Sequence, residues 1–198
     1  DLNLFTNAGI TKKKRAIIIR GSGVNTSVYL DTPEKNGVPR IILASRMLWD
    51  KGVGEFVDAA KQIQEKGVES RFILVGDPDP ENPMSIPVDI LKKWNDDKIV
   101  EWWNHSEKIP DIFAESNIVV LPSYREGLPK VLLEAASCGR AIVATDVPGC
   151  REIVRNDVNG FLVPPYDSNA LAGAILKLIN DSDFRARMGK RGRMIVEK

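Results

Sequence analysis

Residues 118–145 read IVVLPSYREGLPKVLLEAASCGRAIVAT, two strand-length apolar runs with a helix-length segment between them. Ile118–Leu121 and Ala141–Thr145 show no polar alternation, as expected for strands that are covered on both faces. The apolar residues of 130–138 occupy most of a helix circumference, which indicates a buried helix. A strand, a helix and a second strand in this order predict a parallel crossover unit.

The same alternation extends through most of the chain. Helical periodicity runs through residues 53–63 and 171–179, and Asp167-Ser168 provide a cap for the second helix. Further strands are predicted at Ile41–Ser45, Arg71–Gly76, Ile99–Trp102 and Gly160–Val163. These segments predict an α/β fold, a doubly wound parallel Rossmann-like sheet, over residues 38–198.

Residues 1–37 have a different character. Leu2, Leu4 and Phe5 indicate the end of a helix, and Ala16–Arg20 is predicted as a short strand. The polar, turn-rich remainder is typical of a linker. The chain begins without Met and stops inside a helical pattern, so we expect a piece of a longer protein.

Composition limits the classes of protein to consider. Apolar residues make up 43% of the chain and charged residues 28%, which is ordinary for a soluble globular protein. The net charge of +1 disfavours a nucleic-acid-binding protein, and no apolar run is long enough to span a membrane. Cys138 and Cys150 are too few for a disulfide framework and are predicted to be buried thiols in a reducing, cytoplasmic compartment.

Arg46 and Lys51 lie between the first main strand and the helix that follows it. In open α/β sheets ligands bind beyond the carboxyl ends of the strands. Two cations beside a helix N-terminus form an anion site, and together they can neutralise a diphosphate without a metal. The alternative is that Arg46 caps a strand and Lys51 is solvated. The following loop, GDPDPENPMSIP at residues 76–87, lacks calcium-loop spacing and is predicted to be a variable surface connection.

The loop after Ile118–Leu121 carries a second group of polar features. Glu126 stands at its edge, within reach of a reacting group. Gly127 lets the backbone approach a ligand, and the amides of Gly127 and Leu128 can serve as anion donors. Pro129 suits the first position of the helix.

Glu134 lies more than one turn into the same helix, among apolar residues. An ionised carboxylate that is buried without a partner destabilises the fold, so a hydrogen-bond donor or a cation must pair with Glu134. Vicinal hydroxyls of a ligand, such as those of a ribose, could donate to it. A protein partner, Arg140 or Arg151, is equally open from the sequence. The single histidine, His105, has no evident acid partner and is interpreted as structural.

Several segments, in this order and spacing, resemble the nucleotide-sugar-binding half of family 4 retaining glycosyltransferases, especially bacterial enzymes of surface-polysaccharide and lipid-linked glycan assembly. They are ASRMLWDKGV (44–53), RFILVG (71–76), IVVLPSYREGLPKVLLEAASCGRAIVATDVPGCREIV (118–154), NGFLVPP (159–165) and DSDFRARMG (181–189). The likeness implies a protein of two Rossmann domains. Residues 38–198 would bind the nucleotide diphosphate-sugar donor, and residues 1–37 would be a remnant of the acceptor domain with the linker.

The resemblance also implies roles for individual residues. Arg46 and Lys51 would bind the diphosphate, and Glu126 would lie near the transferred sugar, so these three would be the catalytic group. The turn of Gly127, Leu128 and Pro129 would line the donor site, and Glu134 would bind the ribose.

The family also implies a donor, an acceptor and a location. The donor would be a UDP-sugar by family tendency, and no cofactor or metal is implied. The acceptor, a glycan or lipid-linked sugar, would bind the missing domain, and the whole protein could sit peripherally on the inner face of a membrane. Asn104-His105 depart from the family pattern and leave the base contacts open.

Other functions are compatible with a fold of this kind. A sugar-nucleotide epimerase would need further acid and base groups, and a phosphorylase would need a lysine that carries pyridoxal phosphate; neither is evident. A nucleotide-sugar-binding module without turnover is an alternative from another class. An NAD-dependent dehydrogenase is disfavoured, because Ser45-Arg46-Met47 replace the glycine-rich turn after the first strand.

Overall fold

The computed structural model describes residues 2–16 and 23–197. Its strands are β1 Arg40–Ala44, β2 Arg71–Val75, β3 Glu101–Trp103, β4 Ile118–Leu121, β5 Ala141–Thr145 and β6 Gly160–Val163. Its helices are α1 Leu2–Asn7, α2 Val53–Glu65, α3 Val88–Asp96, α4 Ile109–Ala114, α5 Lys130–Ser137, α6 Pro148–Arg151, α7 Ser168–Asn180 and α8 Ser182–Val196. Short 3₁₀ turns lie at Lys13–Arg15 and Trp49–Lys51.

The six strands form one sheet in the order β3-β2-β1-β4-β5-β6, and every pairing is parallel. From β1 the chain adds β2 and β3 on one side. It then crosses to the other side of β1 and adds β4, β5 and β6 in turn. This confirms the predicted doubly wound Rossmann-like sheet. The order reverses between β1 and β4, and the crevice beyond the carboxyl ends of these two strands is where such sheets bind ligands.

Helices cover both faces of the sheet, and strand residues alternate between two apolar clusters. In β1, Ile41 and Leu43 join the cluster that includes α2, α3 and α7, whereas Ile42 joins the cluster that includes α4, α5 and α6. Successive side chains of a strand point to opposite faces, so in a sheet covered on both sides the strand interiors are apolar and polar residues occur at strand ends, such as Arg40 and Arg71. The unbroken apolar runs in the sequence are explained in this way.

The predicted strand at Ile99–Trp102 is placed too early. The amides of Ile99 and Val100 donate to the carbonyl of Trp94 at the end of α3, so neither is available to the sheet ladder. Pairing with β2 begins only at Glu101. The cap predicted for α7 is confirmed, since the Asp167 carboxylate accepts a hydrogen bond of 2.8 Å from the amide of Ala170.

The N-terminal segment is described in part. A helix is confirmed at Leu2–Asn7, whereas four of the five residues of the strand predicted at Ala16–Arg20 lie outside the described residues. Cys138 and Cys150 are buried free thiols, as predicted. Within residues 2–16 and 23–197, no helix is long and apolar enough to cross a membrane.

Candidate functional site

The loop after β1 packs directly against the loop after β4. The amide of Tyr124 donates to the carbonyl of Asp50 at 2.9 Å, and the Ser123 hydroxyl donates to the same carbonyl. Gly52 has a φ of 72°, and a β-carbon at this position would overlap the carbonyl of Pro122. Glycine is therefore required here both for the left-handed backbone and for the close approach of the two loops. The strand ends at the switch point are held together by these contacts.

This packing brings Lys51 to Glu126. Lys51 Nζ lies 2.8 Å from Glu126 Oε1, and the two side chains are only 22% and 13% exposed. Lys51 is thus neither solvated nor isolated. A hydrogen-bonded ion pair in a partly buried position fixes the direction of both groups. The sequence predicted both residues at the site but did not predict that they pair with each other.

The turn that follows Glu126 is braced from behind by α6. A β-carbon at Gly149 would overlap the carbonyls of Glu126 and Gly127, so glycine is needed for this approach. Among the described residues, no protein acceptor takes the amides of Gly127 and Leu128. Such amides, next to the N-terminus of α5, are suited to hold an anion.

Two features of this turn refine the sequence predictions. Pro129 is not the first helical residue: its backbone is extended, with φ −71° and ψ 107°, and α5 begins at Lys130. Pro129 is buried beside the turn and ends the loop rather than starting the helix.

The thiol of Cys150 in α6 lies close enough to be influenced by Glu126: burial first, and then the charge of Glu126, raise its pKa to about 12.

Glu134 is a buried carboxylate whose partners differ from the two considered above. The alternative of a pairing with Arg140 or Arg151 is ruled out, because Arg140 donates to backbone carbonyls of Phe113, Thr32 and Ala114, while Arg151 pairs with Asp146. Lys130, one turn earlier in α5, lies 3.5 Å from Glu134 Oε1 but is itself largely exposed. The carboxylate thus has a weak, solvent-facing cation on one side.

Arg46 and Glu134 line the same cavity, of about 400 Å³, at the carboxyl ends of β1, β2 and β3. The walls are completed by residues after β2 and β3 and by α4 and α5, among them Gly76, Asp77, Asp79, His105, Ser106 and Val131. A cation from the loop after β1 and a carboxylate from the helix after β4 therefore line one open cavity. A volume of this size lies within the range of small-ligand sites.

The loop at residues 76–87 is not a peripheral connection as predicted, because it forms one wall of this cavity. Asp79 Oδ2 accepts a hydrogen bond of 2.6 Å from Arg46 Nη1. The loop is fixed by backbone bonds to the β1 loop: Met47 donates to the Asp77 carbonyl, and Ile86 donates to that of Met47. Since β2 is adjacent to β1, the loop after β2 must open onto the same edge of the sheet.

His105 also belongs to the cavity and not to the core. It is exposed, and its amide donates to Asp77 Oδ1 at 2.9 Å. The interpretation of His105 as a structural histidine stays a prediction. The signal that could have identified Asp77, Asp79 and His105 is their location, since each directly follows a strand that ends at this edge.

Comparisons with known proteins give one consistent family. The family described as Glycosyl transferases group 1 matches residues 31–194. The N,N'-diacetylbacillosaminyl-diphospho-undecaprenol alpha-1,3-N-acetylgalactosaminyltransferase of Campylobacter jejuni is 30% identical over 203 residues, covering 96% of this chain and 52% of that protein. The UDP-Gal:alpha-D-GlcNAc-diphosphoundecaprenol alpha-1,3-galactosyltransferase of Escherichia coli is 28% identical over 186 residues, covering 91% and 43%.

Solved structures agree with this result. The C-terminal domain of the glycosyl transferase group 1 family protein LpcC from Francisella tularensis superposes with a TM-score of 0.76 at 26% identity, covering 88% of this chain and 97% of that one. The chain spans about half the length of the curated relatives it matches.

Proposed function

This chain belongs to the glycosyl transferases group 1 family, and we propose that it is the donor-binding domain of a retaining glycosyltransferase. The intact enzyme would move a sugar from a nucleoside diphosphate-sugar to an acceptor hydroxyl. The names of the Campylobacter and Escherichia relatives support an undecaprenyl-diphosphate-linked glycan as the acceptor class, and that of the Escherichia relative supports a UDP-sugar as donor. Synthesis of surface polysaccharide or lipid-linked glycan at the cytoplasmic face of a membrane follows from this proposal.

The observation that carries the proposal is the convergence at the switch point. Arg46 and Glu134 line one cavity. The Lys51–Glu126 pair joins the loop that carries Arg46 to the loop that leads into the helix of Glu134. A nucleoside diphosphate requires donors for its phosphates and acceptors for its ribose hydroxyls. In our proposal, Arg46 and Lys51 bind the diphosphate and Glu134 receives the ribose.

The chemistry asked of these residues is electrostatic. When the bond from the sugar to the diphosphate breaks, negative charge develops on the leaving oxygen. In our proposal Arg46, Lys51 and the amides of Gly127 and Leu128 stabilise that charge, and no metal is needed. Glu126, held by Lys51, would lie beside the transferred sugar and orient it.

Residues 38–198 form the donor domain in this proposal, and residues 1–37 are the linker with a remnant of the acceptor domain. Because acceptor binding would fall to the other half of the protein, we expect this chain to bind donor weakly and to catalyse little. A longer protein that binds donor but never turns it over would instead be a binding module. One that inverts a centre of the donor sugar would be an epimerase.

Calorimetry with a panel of nucleotides tests the proposal. The chain should bind one of uridine, guanosine or adenosine diphosphate, with uridine diphosphate expected to be tightest, and should bind the matching nucleoside at least about tenfold more weakly, since the charged contacts are lost. Failure to bind any of the three would contradict the proposal. A turnover assay of the intact protein with and without acceptor then separates transferase, epimerase and binding module.

A further inference from the structure

Tyr124 connects three elements around the loop that carries Glu126. Its hydroxyl donates to Glu55 Oε1 at 2.6 Å, and Glu55 lies in the first turn of α2. Its ring lies against the ring of Tyr166, which belongs to the loop after β6, and the ring centroids are 3.9 Å apart. Its amide donates to the carbonyl of Asp50 at 2.9 Å. Both the side chain and the backbone of Tyr124 are therefore fixed.

The hydrogen bond between Tyr124 and Glu55 has the short length of a charge-assisted bond. Burial first, and then this hydrogen bond, raise the pKa of the Tyr124 hydroxyl, so the phenol keeps its proton at neutral pH and acts as the donor. Glu55 Oε2 is buried and has no hydrogen-bond partner among residues 2–16 and 23–197. The phenol is thus the contact that fixes this carboxylate, and the N-terminus of α2 favours its negative charge.

The contact between Tyr124 and Tyr166 is accompanied by an unusual backbone conformation. Tyr166 has a φ of 63°, in the left-handed region that bulky side chains seldom adopt. Its side chain is 68% exposed, so burial contributes little to fixing this conformation. A strained backbone persists where surrounding contacts determine it, and packed aromatic rings attract each other. The ring contact therefore offsets part of the strain and restrains Tyr124 a second time.

The position of Tyr124 determines that of Glu126, which follows it two residues later. Glu126 is in turn held by Lys51 at 2.8 Å. One short segment of chain therefore holds the loop at three points: the carbonyl of Asp50, the ammonium group of Lys51 and the carboxylate of Glu55. The contact with Glu55 is the one that acts through the side chain of Tyr124.

We propose that Tyr124 is a positioning residue, clamped by Glu55 and Tyr166, that places Glu126 and the amides of the turn after it against the diphosphate-sugar. The inference rests on the proposed function, which assigns this loop to the diphosphate and the transferred sugar. The same function assigns the ribose to Glu134, in a helix that is packed in the core. Loss of the clamp should therefore weaken contacts with the diphosphate and spare those with uridine.

The experiment measures the affinities of uridine diphosphate and uridine by calorimetry. Tyr124→Phe keeps the ring and removes the hydroxyl, so it should weaken uridine diphosphate about fivefold and leave uridine unchanged. Glu55→Ala should have the same effect, and it also removes the carboxylate that Tyr124→Phe leaves without its donor. Glu55→Gln retains an oxygen that accepts from the phenol, so it should bind uridine diphosphate within about twofold of the parent.

Gln62→Ala is the matched control. Gln62 lies about two turns after Glu55 in the same helix, and its amide donates to the Ser168 hydroxyl at 3.3 Å. The variant therefore removes a side-chain hydrogen bond between α2 and α7, as Glu55→Ala removes one between α2 and the Glu126 loop. It should change neither affinity.

The outcomes separate positioning from a general structural role. The double variant Tyr124→Phe/Glu55→Ala should bind uridine diphosphate as tightly as Glu55→Ala alone, because both changes remove the same contact; losses that multiply would overturn the inference. Equal losses for uridine and uridine diphosphate, no loss in either single variant, or a Glu55→Gln variant as weak as Glu55→Ala would also overturn it. A parent chain that binds no uridine diphosphate would contradict the proposed function as well, whereas the other adverse results leave donor binding intact.

Discussion

Lys51 and Glu126 form an ion pair of 2.8 Å between loops that leave two neighbouring strands. Lys51 follows β1 and Glu126 follows β4, and these strands pair in parallel with Ile41 opposite Ile118. The sheet register thus determines which two loops meet. The contribution of the pair to stability and its contribution to ligand binding can therefore be measured separately.

The first prediction concerns stability. Lys51→Met should lower the free energy of unfolding by about 1–3 kcal/mol, because Glu126 is left buried without its donor. Adding Glu126→Gln should restore part of this loss, since the remaining amide carries no charge. Urea unfolding of the parent, both single variants and the double variant measures the coupling. Strictly additive losses would show that the pair contributes nothing as a pair.

The second prediction concerns phosphate binding. Arg46→Ala and Lys51→Ala should each weaken uridine diphosphate at least about tenfold and leave uridine unaffected, because only the diphosphate contacts a cation. Lys61→Ala removes a lysine from an exposed pair with Asp58 and is the control. Calorimetry with both ligands decides the matter. An equal loss for uridine would mean that the variants disturb the fold instead.

The third prediction concerns Asp79, whose Oδ2 lies 2.6 Å from Arg46 Nη1 and forms an ion pair with it. Asp79→Asn should tighten uridine diphosphate by about twofold to fivefold, because the phosphate no longer competes with a carboxylate for Arg46; the effect is small since Arg46 is 59% exposed. Asp58→Asn is the matched control, because it removes the carboxylate of another exposed ion pair, Lys61–Asp58. Weaker binding by Asp79→Asn would indicate that Asp79 orients Arg46 for the ligand.

The fourth prediction uses two glycines. Gly149→Ala should destabilise the protein by about 1–3 kcal/mol and weaken uridine diphosphate, because the new methyl group displaces the Glu126–Gly127 turn. Gly173→Ala, in the middle of α7 with open space around it, should stabilise by about 0.5–1 kcal/mol and leave binding unchanged. Urea unfolding and calorimetry on both variants provide the comparison. Normal binding by Gly149→Ala would show that the turn does not depend on α6.

The fifth prediction concerns the thiols. Burial raises the pKa of Cys138 to about 11 and that of Cys150 to about 12, from an ordinary value of 9.0. Both should therefore be inert to a thiol reagent at pH 8 and react once the chain is unfolded by urea.

A raised pKa of an acid means that the neutral thiol is favoured by folding. Its contribution to stability is complete below pH 9 and declines as the pH rises from 9 toward 11–12. The double variant Cys138→Ala/Cys150→Ala should lose less stability than the parent between pH 8.5 and 10.5. Rapid labelling of the folded parent at pH 8 would contradict the prediction.

The strands and the parallel, doubly wound form of the sheet were predictable, because burial on both faces leaves an uninterrupted apolar run. Ile118–Leu121, Ala141–Thr145 and Gly160–Val163 are placed to the residue. The misplacement at β3 arises from tertiary context: Ile99 and Val100 are apolar, but their amides are already used by the end of α3. No periodicity in the sequence encodes that competition.

The sequence predicted the charged residues of the candidate site, but it did not predict which of them pair with each other. Loop residues after strands could be assigned to one edge, where Arg46 and Glu134 line one cavity and Lys51 pairs with Glu126. Asp79 was missed because its proline-rich loop has no periodic signal. Long-range partners such as Arg193 and Tyr29, 164 positions apart, are set by the packing of α8 and cannot be inferred from local sequence.

Residues 26–34 are held to the domain by Arg140 and Arg193, which donate to the carbonyls of Thr32 and Tyr29, and by the ion pair of Arg185 with Glu34. This attachment has a mechanical consequence. If this domain moves relative to another half of a longer protein, residues 26–34 must travel with it as one body, because bending within them would break buried charged contacts. The hinge of such a movement would therefore lie outside residues 26–34, and substitution of Arg185 or Arg193 would allow this segment to bend independently of the domain.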